Sequence, residues 1–266
     1  LPAGDVGFAG VLQAGQQSWS NPTDPRVVND AFWGLSGTQG SGKRDNWAAA
    51  VELRVPIFSL LTASLSGRYD DYKNKGGGSD SRATWKGALE FRPLDSLLLR
   101  ANYATAFKSP DMAYVFAGDS GFYTFVPDYY RCATEEPGVP ISQCSYNDEQ
   151  VRGSRAGNPD LKSITAKSWG GGVVWSPNAQ FTVSADYYRI KIDNKVADLD
   201  LDMLLRNEAA CRQGQLDAGS PTCVDALQRI GRAGANAPQP NQINTVAVNP
   251  INVAKEDVSG VTANLD

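Results

Sequence analysis

Residues 61–70 read Leu-Thr-Ala-Ser-Leu-Ser-Gly-Arg-Tyr-Asp, and this stretch decides the fold class of the chain. Apolar or small side chains stand at 61, 63, 65, 67 and 69, while polar side chains stand at every position between them and end in Arg68 and Asp70. Successive side chains of a β-strand point to opposite faces, so a period of two predicts a strand with one apolar and one polar face.

The same alternation recurs along the whole chain. In 47–55, for example, Trp47 and Val51 share one face while Glu52 and Arg54 share the other. Strands of this kind are predicted at 5–19, 47–55, 61–70, 85–92, 97–107, 167–175, 181–188, 243–253 and 257–266. Most of these nine segments exceed the usual strand length of about 5–6 residues in soluble proteins and match the tilted span of a bilayer.

The connections between these strands alternate between short and long. Short turns are predicted at Pro56–Ser59, Arg92–Asp95, Ser176–Asn178 and Ala254–Glu256. Long loops are predicted at 20–43, 71–81, 108–161 and 194–242. This rhythm is typical of strands that run up and down through a membrane, with tight turns on one side and long loops on the other.

Composition narrows the class of protein further. The 266 residues carry a net charge of −4, which argues against a nucleic-acid partner. The chain has no histidine, which excludes catalysis by histidine and metal sites that use it. No apolar run is long enough for a membrane helix. No P-loop or catalytic constellation is present, so we expect neither an enzyme nor a cofactor.

A soluble β-sandwich also has alternating strands and is the competing interpretation. Aromatic side chains favour the membrane barrel, because Trp47, Trp85 and Trp169 lie towards the long loops and Trp175 and Phe181 towards the short turns. Two such belts anchor a barrel at both interfaces. The predicted fold is therefore all-β, an antiparallel up-and-down transmembrane β-barrel with short helices in its long extracellular loops.

Nine strands do not close a bacterial barrel of a single chain, because such barrels have even strand numbers. The chain also starts at Leu1 rather than at a methionine, and its alternation continues to the last residues. We therefore expect residues 1–266 to be a single partial barrel domain of a longer protein.

Four cysteines lie in the two longest loops, and each loop holds two that are twelve residues apart. Pairing within each loop, Cys132 with Cys144 and Cys211 with Cys223, is the simplest of three possible arrangements. It implies an oxidising compartment, and four free thiols in a reducing one are the alternative.

The loop 108–161 is rich in aromatic and acidic side chains. Such side chains suit stacking on a sugar ring or gripping a planar ligand, although packing of the loop against itself is the alternative. The candidate ligand-binding residues are Tyr114, Phe116, Asp119, Phe122, Tyr123, Asp128, Tyr129 and Tyr130.

The loop 194–242 contains two predicted short helices. Leu201, Leu204, Leu205 and Glu208 indicate the first, and Ser220-Pro221 opens the second. Its arginines are expected to face solvent, with contact to lipopolysaccharide phosphate as the alternative. On the strands, the polar face predicts the lumen-facing residues Arg54, Arg68, Lys86, Glu90, Arg100, Asn102 and Asp186.

Several segments, in the right order, resemble the TonB-dependent outer-membrane receptors. Residues 101–111, ANYATAFKSPD, are similar to the family's strand ending in FRAP, and 157–162, GNPDLK, to its GNPDLKPE turn. The departures are Lys108-Ser109 for Arg-Ala and Ser163-Ile164 for Pro-Glu. Residues 186–192, DYYRIKI, and 250–261 resemble later strands of the family.

This resemblance implies a 22-stranded barrel that encloses a plug domain of the same parent chain. It also implies uptake of a scarce ligand, a siderophore, cobalamin or an oligosaccharide, across the outer membrane of a Gram-negative bacterium, driven by TonB acting on the plug. The expected partners are outer-membrane lipid and lipopolysaccharide, the plug, TonB and the ligand. A passive porin or adhesin and a soluble secreted carbohydrate-binding sandwich are the alternative functions.

Overall fold

The computed structural model describes residues 3–29, Ala31 and residues 38–265. In chain order its elements are β1 (Gly7–Asn21), α1 (Pro25–Val28), β2 (Gly40–Phe58), β3 (Leu61–Asn74), β4 (Ser79–Leu94), β5 (Leu97–Lys108), α2 (Met112–Phe116), β6 (Ser120–Val126), α3 (Tyr129–Glu135), β7 (Glu149–Arg155), β8 (Ile164–Asn178), β9 (Phe181–Ala197), α4 (Leu201–Arg212), α5 (Pro221–Arg229), β10 (Ile230–Arg232), β11 (Ile243–Ala247) and β12 (Ile251–Leu265). A single 3₁₀ turn, Ile141–Gln143, lies between α3 and β7.

Eight of these strands form one large antiparallel sheet, which we call the wall. Their order is β1-β2-β3-β4-β5-β8-β9-β12, so each strand lies beside the wall strand that precedes it in the chain. Leu65 faces Leu53 on one side and Gly87 on the other, which keeps the apolar positions of neighbouring strands on one face. The strands β1 and β12 are the edges of the sheet. The predicted up-and-down, partial barrel is confirmed.

The tight turns of the wall lie two or three residues later than predicted. Strands β2, β4 and β8 run on to Phe58, Leu94 and Asn178. The register shifts at the end of each of these strands, beside Pro56, Pro93 and Pro177 respectively. Proline has no N–H to give to the ladder, so it disturbs the pairing without ending the strand.

The wall has eight strands rather than nine. The sequence predicts two wall strands, 243–253 and 257–266, joined by a turn at Ala254–Glu256, and this prediction is wrong. Residues 251–265 form one continuous strand against β9, with register shifts between Asn252 and Glu256. Such an irregularity changes the phase of the alternation, which is why it resembles a turn in the sequence.

The predicted loop 71–81 is also shorter in the structure, because β3 continues to Asn74 and β4 begins at Ser79. The connection consists of Lys75 and the three glycines Gly76, Gly77 and Gly78, whose φ angles are 116°, 131° and 79°. Only glycine adopts such angles without strain, so these residues permit the sharp reversal.

The two longest loops contain the second sheet, which has four strands in the order β10-β11-β7-β6. We call residues 120–155 together with 199–247 the cap. It comprises this sheet and the helices α3, α4 and α5, and the predicted helices α4 and α5 are confirmed. In the predicted loop 20–43 the structure contains α1, while residues 30 and 32–37 lie outside the described residues, as do 1, 2 and 266 at the ends of the predicted domain.

Candidate functional site

The seven predicted lumen-facing residues all occupy one face of the wall, which we call the inner face. Cross-strand register establishes this: Lys86 faces Ser66, which faces Glu52, and Glu90 faces Arg100. The seven are Arg54, Arg68, Lys86, Glu90, Arg100, Asn102 and Asp186. A cleft of about 350 Å³ on this face is lined by the polar side chains of Glu52, Ser66 and Lys86 together with apolar ones that include Ala9 and Val11.

One ion pair of the inner face spans three strands. Arg100 on β5 faces Gly172 on β8, which in turn faces Asp186 on β9. The Arg100 Nε and Nη2 atoms donate to the Asp186 carboxylate at 2.8 and 2.5 Å. A side chain at position 172 would overlap that carboxylate, so the glycine allows the ion pair to cross the middle strand.

A larger cleft, of about 510 Å³, lies where the strands meet the long connections. Arg68 donates to both carboxylate oxygens of the nearly buried Asp70, at 2.8 and 2.7 Å. Arg44 donates to Ser109 Oγ at 2.8 Å and to the carbonyl oxygen of Pro110 at 3.0 Å. These bonds hold the segment after β5 against the wall, so the cleft has fixed charges and hydrogen-bonding groups.

The cap has a hydrophobic core of its own. Its buried side chains come from all four strands of the small sheet and from both long helices: Val126, Val151, Leu204, Leu205, Ala226, Ile230, Ile243 and Val246. Strands β7 and β11 pair in parallel, with Arg152 beside Thr245, although they belong to different loops. The two longest loops are therefore folded as one body.

A buried charge network joins the two loops inside the cap. Arg232 donates to Glu208 Oε1 and Oε2 at 2.7 Å each, and to Asp128 Oδ2 and Oδ1 at 2.8 and 3.0 Å. Both carboxylates are fully buried. Burial alone would lower the pKa of Arg232, but the hydrogen bonds to Glu208 and Asp128 outweigh it and raise the pKa above its ordinary value.

Two disulfides cross-link the cap. Cys132 in α3 is bonded to Cys144, and Cys211 in α4 is bonded to Cys223 in α5, with Cα–Cα distances of 5.8 and 5.6 Å. The predicted pairing within each loop is the one that the structure shows. All four cysteines are buried.

Several predicted ligand-binding residues have structural partners in the cap. Asp128 belongs to the buried network with Arg232 and also accepts a hydrogen bond from the Arg131 N–H at the start of α3. The Tyr129 hydroxyl donates to Asp202, and burial and this hydrogen bond raise the pKa of Tyr129. The Tyr130 ring centroid lies 5.1 Å from the guanidinium carbon of Arg232.

Three other predicted ligand-binding residues pack against neighbouring parts of the protein. The Phe116 ring lies against Gly42 of the wall, and the Phe122 ring lies against Gly153 of β7. The Tyr114 ring centroid is 5.8 Å from the guanidinium carbon of Arg155. Asp119 and Tyr123 are the predicted residues with exposed side chains.

Tyr123 stands on an exposed aromatic face of the small sheet. Tyr123 faces Arg152 across strands β6 and β7, and Phe125 faces Gln150. The two aromatic residues are 67% and 60% exposed. Sequence reasoning missed Gln150 and Arg152, although their alternation with the buried Val151 was a usable strand signal.

The opposite face of the wall, the outer face, is apolar and carries three diagonal Trp–Tyr pairs. Their ring centroids are 5.4, 5.0 and 5.1 Å apart in Trp47–Tyr69, Trp85–Tyr103 and Trp169–Tyr187. A further pair, Trp175–Phe181 at 6.1 Å, lies near a tight turn. These rings form one belt towards the long connections and a second towards the turns.

No cluster of three or more cysteine, aspartate or glutamate side chains within 3–29, 31 and 38–265 is arranged to hold a metal ion. In the same residues, no helix has the length and apolar character needed to cross a membrane.

An apolar outer face with two aromatic belts, a polar inner face and long connections on one side define an up-and-down membrane β-barrel, of which this chain supplies eight wall strands and a cap. The sequence profile described as TonB dependent receptor-like, beta-barrel, matches residues 3–265. The chain therefore belongs to the TonB-dependent receptor β-barrel family, whose members are transport receptors rather than enzymes. A search of curated protein sequences found no match.

Solved structures with the same fold include two receptors. The siderophore receptor PirA from Acinetobacter baumannii has a TM-score of 0.57 at 15% identity, with 96% of this chain and 31% of PirA covered. A variant of the ferric enterobactin receptor PfeA from Pseudomonas aeruginosa has a TM-score of 0.57 at 15% identity, with 97% and 30% covered. This chain spans about a third of the length of each receptor.

Proposed function

We propose that this chain is part of the wall and cap of a receptor in the outer membrane of a Gram-negative bacterium, which imports a scarce ligand with energy from TonB. The observation that carries the proposal is the opposition of the two wall faces. Lipid would contact the apolar outer face, while Arg54, Lys86 and the Arg100–Asp186 pair would contact a plug domain of the parent protein. A wet, charged contact permits repeated release of a plug at lower cost than an apolar one.

A ferric siderophore is the ligand that we propose first. The structures similar in fold are siderophore and ferric enterobactin receptors. The exposed face of the cap offers two aromatic rings, Tyr123 and Phe125, beside the cation Arg152, which has no ion pair in the part of the chain that the structure describes. Aromatic rings and a cation suit the flat aromatic rings and the negative charge of a catecholate iron chelate.

The test is uptake by the complete parent receptor in a strain without its own siderophore receptors. Radioactive iron on catecholate and hydroxamate siderophores, labelled cobalamin and labelled oligosaccharides are offered with and without TonB. We expect TonB-dependent uptake of one iron chelate. Uptake that persists without TonB would instead indicate a passive pore, and uptake of cobalamin or a sugar alone would replace the proposed ligand.

The cap face is tested by two variants in the same assay. Arg152→Ala and Tyr123→Ala should each raise KM about tenfold, the value of one lost cation or ring contact. Arg229→Ala is the matched control, because Arg229 at the end of α5 is paired with Asp225 at 2.8 Å. Equal KM values for all three variants would remove this face from the ligand site.

A further inference from the structure

The outer face carries an unbalanced pair of lysines just above one of its aromatic pairs. Lys167 of β8 stands directly opposite Lys191 of β9. Both point to the same side as Trp169 and Tyr187, because each is an even number of residues away along its strand. Like charges directly opposite each other destabilise a sheet, so this pairing needs a compensating anion.

The wall contains a matched position for comparison. Trp47 of β2 faces Asp71, and the next pair above it on the outer face is Asp45 opposite Lys73. These charges are balanced, with Lys75 Nζ 3.3 Å from Asp45 Oδ2 and Trp47 Nε1 donating to Asp71 at 3.1 Å. At the same level above Trp169, the corresponding pair is Lys167 opposite Lys191. The β8–β9 position therefore departs from the balanced arrangement of β2–β3.

Nearby carboxylates neutralise only part of this charge. Asp257 accepts two hydrogen bonds from Arg189, at 2.8 and 2.6 Å, and lies 3.8 Å from Lys191 Nζ. Asp193 faces Thr165 one pair farther up the same face. Three cations, Lys167, Arg189 and Lys191, thus face two carboxylates, and Lys167 has no ion pair among the residues described.

The height of the lysines on the wall indicates the anion. Lys167 stands two residues, about 7 Å, above Trp169 along β8, and Lys191 stands four residues, about 13 Å, above Tyr187 along β9. Aromatic belts lie at the level of the lipid headgroups, so the anions within reach at that height are headgroup phosphates. We infer that Lys167 and Lys191 bind a phosphate group of lipid A, the lipopolysaccharide anchor in the outer leaflet. This inference rests on the outer-membrane location proposed above.

The experiment measures binding of lipid A to the purified complete receptor in phosphatidylethanolamine nanodiscs. Wild type should bind lipid A about tenfold or more tightly than dephosphorylated lipid A, and the double variant Lys167→Gln/Lys191→Gln should lose that preference. Lys73→Gln, at the balanced position, should change the affinity by less than about twofold. Equal binding of lipid A and its dephosphorylated form by wild type would overturn the inference, and so would an unchanged preference in the double variant.

Two further arms keep the test decisive. Lys167→Glu recreates the balanced charge pair of β2–β3, so it should raise the midpoint of thermal unfolding of the receptor without lipid A. It should also abolish the preference for phosphorylated lipid A, and retention of that preference would contradict the site. Inorganic phosphate should compete only weakly, and competition as strong as that of lipid A would assign the site to free phosphate instead. Because no transport is measured, failure of the uptake proposal and failure of this site are distinguishable.

Discussion

The wall and the cap place their apolar side chains in opposite locations. In the cap, Leu205 is 2% exposed and Ile243 is 1% exposed, at the centre of a conventional core. In the wall, Leu65 is 51% exposed and Leu12 is 85% exposed on the outer face. The cap thus buries its apolar side chains, as a region surrounded by water does, whereas the wall exposes them, as a sheet that contacts lipid does. The polar side chains of the wall lie on its inner face instead.

The difference extends to what holds each region together. Both disulfides and the buried Arg232 network belong to the cap, while the Arg100–Asp186 pair of the wall is partly open to solvent. A membrane sheet must satisfy its backbone by strand pairing, whereas a small water-exposed body needs a core and covalent links. Substitutions that remove a core contact or a cross-link should therefore destabilise the cap alone, and charges placed on the outer face should destabilise the wall alone.

The largest expected effect is that of Arg232→Met in the cap. This change leaves the Asp128 carboxylate buried without a cation, while Glu208 keeps its ion pair with Arg212, and breaking a buried pair in this way typically costs about 3–5 kcal/mol. Hydrogen exchange of the complete receptor should show earlier opening of α4 and unchanged protection of the wall strands. Arg229→Met, which removes an i,i+4 pair with an exposed carboxylate, should cost about 0.5 kcal/mol at most. Equal opening in the two variants would show that the buried network does not join the loops.

The next comparison tests the two faces of the wall. Leu65→Arg puts a charge on the outer face within the lipid and should cost about 2–4 kcal/mol, while Ser66→Arg adds a charge to the polar inner face and should cost much less. Folding titrations of the complete barrel into vesicles measure both. Equal costs would contradict the assignment of inner and outer faces, and the cap should be unaffected by either change.

The same contrast explains what the sequence could predict. The period of two in 61–70 encodes the wall directly, and Ser220-Pro221 encodes the start of α5, because both signals are local. The strands β10 and β11 have only three and five residues, and β11 pairs in parallel with β7 of another loop. Local alternation carries no information about such a partner.

The candidate site was harder to predict for the same reason. Asp128 was predicted as a ligand-binding residue because it lies among aromatic side chains in a long loop. Its structural role depends on Arg232, which is 104 residues away. Conversely, Arg152 became a candidate only when the register placed it beside Tyr123. Contacts between distant segments decide which loop residues are exposed to a ligand.

Removal of a disulfide should affect the cap alone. Replacing both Cys132 and Cys144 by serine releases a cross-link between residues twelve apart and should cost the cap about 2–3 kcal/mol. Limited proteolysis of the complete receptor should then cut within 120–155 at lower protease concentrations, while the wall keeps its resistance to unfolding on heating in detergent. Reduction of the wild type breaks both disulfides, so it should make 199–247 as well as 120–155 easier to cut, and a loss of wall resistance would show that the two regions fold as one.

The smallest expected effect is a pH dependence confined to the cap. Hydrogen bonds from Arg131 and Tyr146 hold the pKa of Glu135 below its ordinary value of 4.5. A carboxylate whose pKa is lower in the folded state stabilises that state above pH 4.5, and this contribution is lost as the pH falls through the folded pKa. Glu135 is 39% exposed, so solvent screening limits the effect to about 1 kcal/mol. Glu135→Gln should flatten the decrease in cap stability between pH 5 and pH 3, measured by hydrogen exchange in α3, and should leave the wall strands unchanged. The same decrease in wild type and variant would mean that another carboxylate causes it.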